Sequence, residues 1–132
     1  MTPDQVIQAI ETQLAAELSA LQLNYLTEEE TFSTDLQGDS LWVRSNIELG
    51  TVDEIEVGRI GASLRSGSLV LKIYAEPMKL RQVAKIAGDC EALLRRKPMG
   101  SIEFGEPETR SFHTPKLSRA SMMVRCPFWV YQ

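Results

Sequence analysis

Near the start of the chain, apolar side chains return every three or four positions: Ile7, Ile10, Leu14, Leu18 and Leu21. That period belongs to a helix with one buried stripe. The spacing predicts a helix over 3–22. Thr2 is placed to cap it, Pro3 suits the first helical position, and Gln5 completes a capping box three residues after Thr2. Asp4 sits in the first turn, where the helix dipole favours a negative charge. From Asn24 to Ser40 the period disappears and the chain turns polar, which predicts a long connection.

Alternation then replaces the helical period. In "LWVRSNIEL", Leu41, Val43, Ile47 and Leu49 face one way, while Trp42, Arg44, Asn46 and Glu48 face the other. This is the pattern of a strand buried on one side. A glycine-broken polar stretch follows, with a short strand expected at 54–57. "SLVLKIYA" resumes the alternation with Leu69, Leu71, Ile73 and Ala75 inward. A second helix is predicted over 77–97, its stripe being Leu80, Val83, Ala87, Cys90 and Leu94. Arg95, Arg96 and Lys97 suit its C-terminus, and Pro98 and Gly100 end it.

A short strand at "SIEFGE", a polar loop and a long alternating strand at "ASMMVRCPFWVY" complete the chain. Met122, Val124, Cys126, Phe128 and Val130 share one side of that last strand. Pro127 brings no N–H, so its donor side must meet solvent, a partner or a bulge. The expected fold is α+β: a mostly antiparallel β-sheet with two amphipathic helices on one face, in the order α-β-β-β-α-β-β. The length, 132 residues, suits one domain spanning 1–132.

The three glycines ahead of "SLVLKIYA" raise the question of a phosphate-binding loop. Gly58, Gly61 and Gly67 match neither the dinucleotide nor the P-loop spacing, and a strand follows where such a loop needs a helix. A long hairpin or bulged turn is the expected role, with Arg59 and Arg65 projecting from it. The net charge of −4, from 14 basic and 18 acidic residues, disfavours sequence-independent nucleic-acid binding. Cys90 and Cys126 fall on apolar faces and read as small buried side chains.

His113 stands alone in a polar loop with no third group to orient it, so no catalytic residue is expected. Glu28, Glu29 and Glu30 are consecutive, which suits a solvated stretch better than a calcium site; Asp39 and Asp53 have no visible partners. Neither a metal nor another cofactor is expected. The N-terminus lacks the basic and apolar regions of a signal peptide, and no apolar run is long enough to span a bilayer. Trp129 and Tyr131 point away from the core side of the last strand, as contact residues do. Arg44, Arg59, Arg65, Trp129 and Tyr131 are therefore the candidate interface residues.

The run from "LWVRSNIELG" through "GRIGASLRSGSLVLKIYAEP", the helix with "VAKIAGDCEALLRR" and the final alternating strand resemble the tail terminator proteins of long-tailed bacteriophages. Arg65, Gly67, Leu69, Leu71, Ile73 and Tyr74 stand where that family's strand signature falls, while "MKLRQV" replaces a glycine common in relatives. The resemblance spans 41–132. It implies a structural virion protein of the tail or neck, assembled in the host cytoplasm. Six copies would form a ring that caps the tail tube, stops its polymerisation and meets the head connector. DNA would pass through the lumen without specific binding, and no reaction would be catalysed. The alternatives are another head–tail neck or adaptor ring protein, or a small α+β ligand-binding domain.

Overall fold

In the computed structural model the described residues are 2–27, 42–54, 63–75, 80–96, 100–111 and 120–131. Helix α1 runs Pro3–Ala20 and opens with both halves of the capping box: Gln5 N–H donates to Thr2 Oγ1 (3.3 Å) and Thr2 N–H to Gln5 Oε1 (2.9 Å). It ends in a Schellman turn. Leu23 N–H reaches back to the Leu18 carbonyl and Gln22 N–H to that of Ser19, with Gln22 held at φ 60°. The remaining elements are β1 (Asn24–Leu26), β2 (Trp42–Glu54), β3 (Ser63–Ala75), α2 (Leu80–Arg96), β4 (Ile102–Phe104), β5 (Glu108–Ser111) and β6 (Ala120–Tyr131).

The strands form one sheet in the order β1-β2-β3-β6-β4, with β5 also paired to β6. Among the described strands only β1 and β2 run parallel. β4 and β5 lie antiparallel to β6, with Phe104 opposite Phe128 and Glu108 opposite Arg125. They form one strand interrupted at 105–107. Counting them so, the order is the α-β-β-β-α-β-β of an α+β fold, as the sequence predicts.

Both helices cover the same face. Val6, Ile10, Leu14 and Leu18 of α1, and Val83, Ile86, Ala87, Cys90 and Leu94 of α2, meet Val43, Leu69, Leu71, Ile73, Val124, Cys126, Phe128 and Val130 of the sheet. Burying an aliphatic or aromatic side chain contributes about 1.5–3 kcal/mol, so this layer is the main stabilising element. Ser45 is buried among them, and its Oγ lies 2.6 Å from the Tyr25 hydroxyl. That hydrogen bond removes the cost of a buried hydroxyl.

Several sequence expectations need correction. The α1 stripe runs through Val6, with Ile7 only half-buried, and Leu21 is exposed because it lies past the helix end. Leu80 is exposed for the corresponding reason at the start of α2. The connection from Asn24 begins with strand β1, and 28–41 lies outside the described residues. Glu54 belongs to β2, while 55–57 of the expected short strand lies outside the described residues. Trp42 is buried although it points away from the helices, because it stacks on Tyr74 beside Leu26.

Gly67 is not in a turn. It sits inside β3 where the Phe128 ring packs across the strand: a Cβ there would come within 2.4 Å of that ring and 2.6 Å of the Glu48 carbonyl oxygen. Glycine is needed at this position for close approach, not for a positive φ.

Candidate functional site

The backbone pairing identifies which groups of β2 have no neighbour. Gly105 N–H donates to the Pro127 carbonyl (2.8 Å), so the polar groups of Pro127 point toward the β4–β5 side. Pro127 thus places its missing donor opposite the interruption at 105–107, where no strand pairing needs an N–H from it. Backbone direction alternates along a strand, and the two residues of an antiparallel pair point either at each other or away from each other. Through the pairs Pro127↔Ser68 and Ser68↔Glu48, the polar groups of Asn46 and Glu48 point into β3. Those of Val43, Ile47 and Leu49 point outward.

β1 covers only Trp42 to Arg44 of this outer side. Among the described residues, nothing pairs with the outward N–H and C=O of Ile47 and Leu49. The register slips by one residue between Leu49 and Val52, which twists the strand just beyond this open length. Beyond Arg44, β2 is therefore an edge among the described residues, with pairing capacity left over.

The opposite edge is closed off. Arg95 of α2 reaches Glu106 in the interruption through its Nε (3.0 Å) and Nη2, and Glu91 lies 3.9 Å away on the same helix. The Glu106 hydrogen bond is the main reason the Arg95 guanidinium is held above its ordinary pKa. Thr109 donates its hydroxyl to Glu91. A short, interrupted and charged strand is a poor template for further pairing.

The helix-free face carries the charges. Arg44 stands opposite Lys72, Lys72 opposite Met123, and Met123 opposite Arg110, so three cations lie in one row across four strands. Arg125 lies in the neighbouring row, ion-paired with Glu48 (3.5 Å), and Arg110 pairs with Glu108 (3.6 Å). Beside the row, Trp42 and Tyr74 stack with centroids 4.1 Å apart and rings inclined by 20°. Burial raises the Tyr74 hydroxyl pKa, against a smaller lowering by Arg44.

The candidate residues chosen from sequence do not converge. Arg44 is half-buried in the cationic row. Trp129 shares that face but lies six residues along β6 from Met123, about 20 Å away at strand rise. Its indole packs on Gly105, where a Cβ would come within 2.9 Å of the ring. Arg65 is a correction: it lies within β3, opposite Val130, so it points to the helix side instead of projecting from a turn. Its Nε is buried without a hydrogen-bond partner. Arg59 and the side chain of Tyr131 lie outside the described residues, as do His113, Glu28, Glu29, Glu30, Asp39 and the side chain of Asp53.

Sequence reasoning missed Lys72, Arg110 and Arg125. Each occupies a polar position in an alternating strand, but only the register shows that they share a surface. The cysteines are free and buried. Burial, and then the charges of Asp89 and Glu91, push the Cys90 thiol up to about 12. Burial, and then Glu106, push Cys126 to about 11. Neither thiol forms an appreciable thiolate at neutral pH. A hollow of about 450 Å³ lies between the end of α1 and α2, lined by Leu21, Leu23, Ile86, Gln82, Lys85 and Asp89.

No helix among the described residues is long and apolar enough to cross a membrane. Compared with the models of known protein families and with curated proteins, the chain finds no match.

Proposed function

We propose that this chain is a structural subunit that joins copies of itself through the outer edge of β2 into a closed ring. Following its resemblance to tail terminators, the ring caps a tail tube, halts its growth and meets the head connector. The observation that carries the reading is the outward N–H and C=O of Ile47 and Leu49 on a strand otherwise built into the sheet. Strand addition to such an edge is a general route to assembly. The two edges of the sheet differ, so a neighbour meets a different surface on each side. A head-to-tail contact of that kind closes into a ring when its rotation divides a full turn.

Magnitudes limit what the edge contributes. Each backbone hydrogen bond nets about 0.5–1.5 kcal/mol, whereas association costs about 4–15 kcal/mol in lost freedom. The few bonds available at Ile47 and Leu49 set register, and side-chain contacts must supply the remainder. Arg65 is one candidate: its Nε is buried without a partner, so a contact with a neighbour would run through the rest of its guanidinium. Replacing it by alanine should weaken assembly while leaving the circular dichroism spectrum intact.

Native mass spectrometry of the full chain, alone and mixed with tail tubes, tests the reading. A hexamer, or a monomer that becomes hexameric on tube ends, is the expected result. A dimer of fixed size at every concentration, or a chain that ignores tubes, contradicts it.

A further inference from the structure

We infer that the cationic row on the helix-free face, Arg44, Lys72 and Arg110, docks an acidic stretch of a neighbouring copy of this chain. The inference rests on the ring reading and names the side-chain contact that the β2 edge requires. Like charges directly opposite one another on paired strands are destabilising, yet Arg44 and Lys72 occupy such a pair. Lys72 has no ion-pair partner among the described residues. Arg125 extends the row on one side, and a hollow of about 280 Å³ lies between Glu108, Arg110, Met123 and Arg125. An anion lying across the row would offset the repulsion felt by Lys72.

The sequence supplies the complement. Residues 27–40 contain Glu28, Glu29, Glu30, Asp35 and Asp39 and no lysine or arginine, whereas the remaining chain holds thirteen acids against fourteen bases. The charge of −4 is thus concentrated in one stretch on an otherwise near-neutral protein. A ring contact between unlike surfaces needs a pair of patches on each copy, and an acidic stretch with a cationic row is such a pair. Duplex DNA fits less well. The row crosses only four strands, about 14 Å, a short track for a duplex backbone.

Charge reversal tests the contact in the full-length chain. One variant carries K72E and R110E, a second carries E28K, E29K and E30K, and circular dichroism checks that both fold. Native mass spectrometry should show assembly lost in each variant and restored when the two are mixed, because each then presents the complement of the other. Persistence of the oligomer in the first variant overturns the inference. So does restoration only when all five changes share one chain, which would place the contact within a single copy.

A labelled synthetic peptide of residues 27–40 gives an independent readout. Its dissociation constant on the wild-type chain should rise about tenfold or more with K72E and R110E. If the wild-type chain never assembles, the ring reading fails by itself. Equal peptide binding to wild type and variant then sinks this inference as well. A labelled DNA duplex that binds the row where the peptide does not would overturn it in favour of a nucleic-acid surface.

Discussion

The two edges of this sheet are built on opposite plans. At the β4–β5 edge the strand is interrupted at 105–107, Trp129 packs over Gly105, and Arg95 and Glu91 tie the loop and strand to α2. At the β2 edge, β1 spans three residues, and among the described residues nothing pairs with the outward groups of Ile47 and Leu49. Yet both apolar side chains pack against the core from the same strand. The contrast teaches that an edge is closed by what lies over its backbone, not by how well its side chains are buried. One edge is finished by the fold. The other is the edge through which we propose that copies join.

The largest expected effect removes the strand that both edges depend on. Gly67→Val would drive a side chain into the Phe128 ring and the Glu48 backbone. Overpacking of this kind should cost about 3 kcal/mol or more, read as a lower urea midpoint. A smaller change separates the edges. Gly105→Ala brings a methyl within 3.0 Å of Trp129 and Pro127. It should cost about 1–3 kcal/mol and shift tryptophan fluorescence, while leaving assembly through β2 intact.

A pH series probes α2, the helix that secures the closed edge. The Cys90 thiol is held at about 12 against an ordinary 9.0. Below the lower value both folded and unfolded chains keep the proton, and stability is unchanged by this group. Between the two values only the unfolded chain releases it, so stability falls as pH rises. The slope from this thiol is at most about 1.4 kcal/mol per pH unit. Denaturation at pH 8 and pH 10 should show the loss, and Cys90→Ala should lessen it, leaving the share of Cys126, whose thiol is also raised, to about 11. The smallest effect is expected for Arg95→Ala. Its ion pairs are solvent-exposed, so the urea midpoint should not move measurably.

Much of the fold was legible in the sequence. Thr2, Pro3 and Gln5 mark the start of α1, and alternation from Val43 to Leu49 and from Leu69 to Ile73 gives the faces of β2 and β3 because each strand is buried on one side. The helix stripes were overextended at Leu21 and Leu80, since periodicity continues past the point where the sheet stops supplying partners. β1 was missed because three residues are too few to show a period. Gly67 was read as a turn residue because glycine's local meaning is conformational, whereas its need here comes from Phe128, far away in sequence. The candidate site was less legible. Arg44 and Trp129 were placed on the correct face, but the cationic row and the open edge are properties of register, which exists only after β2, β3 and β6 have paired.

Hydrogen–deuterium exchange at single-residue resolution tests the open edge most directly. In the isolated chain the amides of Ile47 and Leu49 should exchange fast while those of Asn46 and Glu48 exchange slowly; on assembly, Ile47 and Leu49 should become protected and Gly105 should not change. An assembled particle in which Ile47 and Leu49 still exchange fast, or in which the new protection falls on β4 and β5, would contradict the account.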